Sequence, residues 1–97
     1  MNINYVTGQV SGTGALITVG GERCGFRPRK VVVYDITNHL SLEWIAPMAD
    51  GTGLKITTQG VRSLEASGAI TPTDDGFTIG TTAVNASAAS LVYEAWP

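Results

Sequence analysis

Charge is what this 97-residue chain has least of: Asp, Glu, Lys and Arg make up 14% of it, against roughly 25% in an average domain. Six basic residues face eight acidic ones, for a net charge of −2. That balance creates no field to attract phosphates and disfavours nucleic acid as a partner. A single cysteine, Cys24, cannot form an internal disulfide; this excludes the stapled secreted scaffolds and fits assembly in a reducing cytoplasm. No apolar run approaches the roughly 20 residues of a membrane-spanning helix. The first residues, M-N-I-N-Y-V-T-G, lack a basic segment followed by an apolar block, so a soluble domain with no membrane contact and no secretory signal is expected. No segment of convincing length has helical periodicity, and no repeat recurs at a fixed period.

With so few charges, much of the surface must be Thr, Ser, Gly, Ala and Asn. A sparsely charged skin suits a component buried in a larger assembly better than a free monomer.

What the chain does have is alternation. Lys30 to Ile45, K-V-V-V-Y-D-I-T-N-H-L-S-L-E-W-I, predicts a central β-hairpin. Strand side chains alternate, so Val32, Tyr34 and Ile36 fall on one face of the first limb, and Leu40, Leu42 and Trp44 share a face of the second. The expected core grouping is Leu42 and Trp44 beside Val32 and Tyr34. Thr37, Asn38 and His39 supply the turn, with Asn38 best suited to a left-handed backbone.

Around this hairpin, residues 1–10 read as an N-terminal strand or an extended arm in which Ile3, Tyr5 and Val10 alternate before Gly8 interrupts. Ala15 to Val19 reads as a short strand between glycine-rich turns. Its S-G-T-G lead-in lacks the Lys-Ser/Thr of a phosphate loop and any helix to present amides, which favours a turn. Pro28 straightens the entry to the hairpin, and Arg27, Arg29 and Lys30 form the only basic cluster, either a solvated lead-in or a contact for an acidic partner. Ala46 to Gly53 is a loop. Leu54, Ile56 and Thr58 then alternate, and Gln59-Gly60 turns the chain into Val61 to Glu65. Between Ala66 and Asp75 only Ala69 to Thr71 is expected as strand. Asp75-Gly76 is the turn that launches Phe77 to Gly80. Thr81 to Ser90 is expected as loop, and Leu91 to Trp96 as a final strand. These elements amount to about seven or eight short strands. They predict an all-β, single antiparallel β-sandwich or barrel-like domain over residues 1–97.

The search for chemistry finds no constellation. One His and one Cys, fifteen positions apart, make no metal motif. Cys24 with His39 as thiol and base lacks a supporting context, and an inert packed Cys24 is the expectation. Asp74 and Asp75 sit next to each other in a turn, which points them apart, whereas acid-base catalysis needs carboxyls converging from different elements. No catalytic residue, cofactor or metal is expected. Trp44 and Trp96 could stack on sugars, but packing is the commoner role of an aromatic on an alternating strand. Trp96 lies on the face opposite Tyr93, and it joins Arg27, Arg29 and Lys30 as the expected interface residues.

From Gly25 the sequence runs G-F-R-P-R-K-V-V-V-Y-D-I, then L-E-W-I-A-P-M-A-D-G-T-G-L-K, then I-T-P-T-D-D-G-F-T-I-G and L-V-Y-E-A-W. These motifs resemble a group of small tailed-bacteriophage virion proteins, with the likeness covering roughly residues 24–97. The resemblance implies a non-enzymatic capsid decoration (cement) protein on the outer head surface of the virion. Its implied partners are the major capsid protein and itself, as a homotrimer. A tail or tail-fibre component that recognises a host glycan through the loop Ala46 to Gly53 or Gly80 to Ser90 is the alternative implied.

Overall fold

The computed structural model describes residues 5–81 and 84–97. Ile3, counted above in the N-terminal alternation, and positions 82 and 83 of the loop before the last strand lie outside the described residues. The strands are β1 (Val6–Ser11), β2 (Ile17–Val19), β3 (Lys30–Asp35), β4 (Leu40–Ile45), β5 (Thr52–Ile56), β6 (Arg62–Thr73), β7 (Gly76–Ile79) and β8 (Ser90–Trp96), with one 3-10 turn at Gly21–Arg23. They form a single sheet in the order β1-β8-β3-β4-β5-β6-β7-β2, antiparallel at every pairing.

The two ends of this sheet are consecutive strands. β1 and β2 are joined by residues 12–16 alone, a connection that reaches at most roughly 22 Å, whereas eight strands laid flat would span about 34 Å. The sheet must therefore curl, and it forms a half-barrel. The expected barrel-like all-β domain is what the chain adopts. Inward-facing residues fill it: Val19, Val31, Val33, Leu42, Trp44, Ile70, Phe77, Ile79, Leu91 and Tyr93 are all buried in one cluster. Phe77 meets Tyr93 edge to face at 5.5 Å, a favoured aromatic geometry.

The central hairpin forms over the expected span, and Leu42 and Trp44 are buried. Val32 and Tyr34 do not lie beside them: Val32 is buried but outside the core cluster, and Tyr34 is exposed. Asp35 pairs with Leu40, Val33 with Leu42 and Val31 with Trp44, and residues directly opposite in an antiparallel pair share a face. Val31 and Val33 thus point inward, while Val32 and Tyr34 lie on the outer face beside Glu43 and Ser41. The four-residue loop 36–39 sets this register. In that loop His39, not Asn38, takes the left-handed backbone (φ 59). Asn38 is instead held by the buried Asp35, whose carboxylate accepts bonds from the Asn38 backbone N–H and side-chain amide, both at 2.9 Å.

β6 departs further from expectation. It runs unbroken for twelve residues because its two halves serve different neighbours. Arg62 to Glu65 pair with β5, and Ile70 to Thr73 pair with β7, with an irregularity opposite Thr52 and Gly53. Gly68 (φ 70) takes the bend. Pro72 lies beyond the last residue paired with β5, so its missing N–H breaks no bond there. The turn into β7 is Asp74-Asp75, and Gly76 is already strand, opposite Thr73. Gly76 is required by close approach: a Cβ there would lie 1.8 Å from the Val19 carbonyl oxygen. Gly8 likewise does not interrupt but sits inside β1 opposite Tyr93. The strand expected over Ala15 to Val19 is shorter, beginning at Ile17, and β5 ends at Ile56, before Thr58.

Candidate functional site

Antiparallel pairing sets Lys30 of β3 opposite both Ile45 of β4 and Trp96 of β8. The three side chains therefore form a row on the outer face. The Lys30 ammonium lies 5.0 Å from the Trp96 ring centroid, within cation–π range. On the other side of the indole, Tyr5 stacks at 6.2 Å with planes inclined by 27°. Tyr5 and Ile45 are exposed and Trp96 is half-buried.

Arg29 closes one end of this row. Its N–H donates to the Trp96 carbonyl at 2.8 Å, and its carbonyl accepts from the Ala46 N–H at 2.7 Å, so the lead-in strand is stitched to β8 and to the loop after β4. Arg29, Lys30, Ile45, Pro47 and Trp96 line one open groove. Arg27 belongs to the adjoining groove with Arg29, Met48 and Asp50. It faces Asp74 at 3.7 Å with both side chains exposed, a pair that solvent and salt screen to little worth. Of the four expected interface residues, three are thus brought together and Arg27 stands to one side. Trp44 is no sugar platform: it is buried, and its indole N–H donates to the Ala49 carbonyl at 3.1 Å.

The residues weighed for chemistry are dispersed. Cys24 is buried in the core and donates to the Phe26 carbonyl at 3.4 Å; burial pushes its thiol pKa up, aided by the Asp75 carboxylate and opposed by that hydrogen bond. His39 sits exposed at the far end of the β3–β4 hairpin. Asp75 turns back to accept from the Gly21 N–H at 3.1 Å while Asp74 faces Arg27. Among the described residues no three His, Cys, Asp or Glu side chains converge as a metal site, and no helix is long and apolar enough to cross a membrane.

Of the two loops weighed for recognition, the one before β8 is anchored from within. Val84, Asn85 and Ala89 are buried, and Asn85, in a left-handed conformation (φ 83), is its anchor. Its amide accepts from the Thr13 N–H at 2.8 Å and donates to the Ala15 carbonyl at 2.5 Å, and its own carbonyl accepts from the Gly14 N–H at 3.1 Å. Asn85 thereby ties this loop to the β1–β2 connection. Sequence reading missed it because both partner segments lie about seventy positions away; its one local signal is the tolerance of Asn for positive φ.

The outer surface carries several large apolar side chains. Tyr5, Leu16, Tyr34, Ile36, Ile45, Val61 and Leu64 are all exposed. Several share the outer face of β3 to β6, where Leu54 pairs with both Glu43 and Leu64, and Ile56 with both Ser41 and Arg62. Comparison with protein-family models, curated proteins and solved structures finds no match for this chain.

Proposed function

We propose that this protein is a non-enzymatic structural component of a tailed-phage virion, bound to the outer surface of the head as a decoration or cement protein. The observation that carries the reading is the exposed apolar outer face on a barrel with so few charges. Such a surface is costly in a free monomer and is expected where neighbouring subunits cover it. The resemblance of the motifs from Gly25 to Trp96 to small phage virion proteins supports the same reading. In this role the domain acts by burying its outer face across adjacent capsid subunits, so that many weak contacts together hold the shell against internal pressure. The row of Tyr5, Trp96, Lys30 and Ile45 is the surface assigned to the capsid, with Arg29 and Lys30 supplying charge for acidic groups on it.

The test is the composition and strength of purified particles. The protein should be present in stoichiometric amount on the head, and particles assembled without it should lose resistance to heat or osmotic shock. Its absence from purified virions would end this reading. A tail-fibre role in glycan recognition is the second reading, favoured by the stacked Tyr5 and Trp96 beside an open groove but weakened by the burial of Trp44. Label at the tail tip instead of the head would select it.

A further inference from the structure

Among the described residues, the first half of β6 has one neighbour. Arg62 to Glu65 pair with β5 on one side, while β7 begins pairing at Ile70. The stretch from Val61 to Gly68 is exposed throughout except for Glu65, which is half-buried. The β5–β6 hairpin therefore ends in a free strand edge.

The direction of its backbone groups follows from the turn. Thr57 N–H donates to the Val61 carbonyl at 3.0 Å, which makes 57 and 61 a hydrogen-bonded pair. Since such pairs alternate along an antiparallel ladder, Ser63 and Glu65 bond to β5, whereas Arg62 and Leu64 direct their N–H and C=O groups outward, with Ala66 next in phase. Among the described residues no loop covers this edge and it holds no proline or lysine; what guards it is the charge of Arg62 on the outer face and of Glu65 on the inner, beside the irregularity at Thr52 and Gly53. Leu64, 65% exposed, stands at its centre on the outer face.

We propose that this edge pairs antiparallel with the same edge of a second copy of the chain, centred on Leu64. The inference concerns self-association alone and does not depend on the virion reading. The occupant follows from self-complementarity. Centred on Leu64, the pairing sets Leu64 against Leu64, Arg62 against Ala66 and Ser63 against Glu65, each pair sharing a face of the joined sheet. The outward groups of Arg62, Leu64 and Ala66 then all find partners, and no like charges oppose each other. Centring on Arg62 or on Glu65 would set like charges face to face, which is destabilising, and centring on Ser63 would set Arg62 against Leu64 with fewer bonds. On the outer face the pairing joins Leu54 and Leu64 of both copies into one apolar stripe. The result is a two-fold dimer, in place of the three-fold association that the phage resemblance implies.

The experiment is sedimentation of the isolated full chain with three variants. Wild type should reach twice its 10.1 kDa mass as concentration rises. Leu64→Pro removes an N–H that the monomer leaves unused, and Leu64→Lys sets like charges against each other; both should remain at monomer mass with the circular dichroism of wild type. Ser63→Pro removes a donor used inside the ladder and should instead lower the melting temperature. Amide exchange reads the same edge directly: the Arg62 and Leu64 amides should gain protection with concentration, while the Ser63 and Glu65 amides are protected at every concentration. A wild-type monomer or trimer, or a dimer that survives Leu64→Lys, overturns the proposal. So does edge protection that appears only when another protein is added, since that outcome assigns the edge to a foreign strand. Particle composition plays no part in these readouts, so either reading can fail without the other.

Discussion

Tyr93 lies directly across from Gly8 in the β1–β8 pair, and its phenol occupies the space a side chain at position 8 would need. A Cβ on Gly8 would lie 2.2 Å from the Tyr93 hydroxyl oxygen. The ring cannot swing aside freely, because it is buried against Phe77 and its hydroxyl donates to the Arg23 carbonyl at 3.4 Å. Gly8→Ala should therefore destabilise the fold by about 1–3 kcal/mol, the usual cost of forcing extra volume into a packed site. Thermal or urea unfolding checks it. Tyr93→Phe combined with Gly8→Ala should recover part of the loss, since the hydroxyl is the nearest clashing atom.

The same tyrosine sets a limit at high pH. Burial is the largest cause raising the Tyr93 pKa above its ordinary value of 10.0, against the lowering influence of Arg23. Tyr34 is raised from 10.0 by desolvation and then by Glu94 and Glu43, and Cys24 is raised from 9.0. A raised acid pKa means that the folded state holds its proton when the unfolded chain has released it. The associated stability is fully present below the unfolded-state value and is lost as pH rises through the folded one. The melting temperature should thus begin to fall near pH 9 and fall faster above pH 10. Tyr93→Phe should flatten that alkaline limb; an unchanged slope would show that Tyr93 does not contribute to it.

Local pattern and long-range geometry divided what could be read in the chain. The β3–β4 hairpin was legible because strict alternation needs only neighbouring residues. The inward face was not, since Val31, Val32 and Val33 are equally apolar and only the loop length fixes the register. β6 was misread because Gly68 and Pro72 look like breakers in one dimension, whereas in the fold Gly68 bends the strand just before it changes partners at Ile70, and Pro72 sits within its pairing to β7. The Lys30 and Trp96 site was legible as separate residues, but their contact required the β3–β8 pairing, which brings together two residues more than sixty positions apart. The free edge of β6 was hidden for the same reason, because an edge is defined by what fails to pair with it.

Asn85 offers a test of such a long-range tie. Its side chain serves Thr13 and Ala15 from a buried position, and a buried polar group left without its partner costs about 1–3 kcal/mol. Asn85→Ala removes these bonds together with one to the Gly80 carbonyl at 3.4 Å, and also places a Cβ-bearing residue, without the local hydrogen bonding of Asn, at φ 83. Asn85→Gly removes the same bonds but relieves the backbone. Both variants should be destabilised, with Ala the worse by about 1 kcal/mol. Comparing their unfolding midpoints separates the hydrogen-bond loss, common to both, from the conformational cost, which only Ala bears. Equal midpoints would count against the strained backbone.

The two tryptophans should separate folding from assembly. Trp44 is 3% exposed, packs in the core opposite Val31 and bonds the Ala49 carbonyl. Trp44→Ala should cost roughly 3–5 kcal/mol, a large part of the 5–15 kcal/mol or so that holds a domain of this kind together. Trp96 lies on the other face of β8, between Tyr5 and Lys30, and its loss opens no cavity in the core. Trp96→Ala should shift the unfolding midpoint little yet weaken binding to particles stripped of this protein. Lys30→Gln, which keeps the stem but removes the cation, should weaken binding less than Trp96→Ala if apolar contact dominates, and as much if attraction to acidic groups does. Measuring midpoint and particle binding for all three variants decides the assignment. A Trp96→Ala protein that unfolds, beside a Trp44→Ala protein that stays intact, would reverse it.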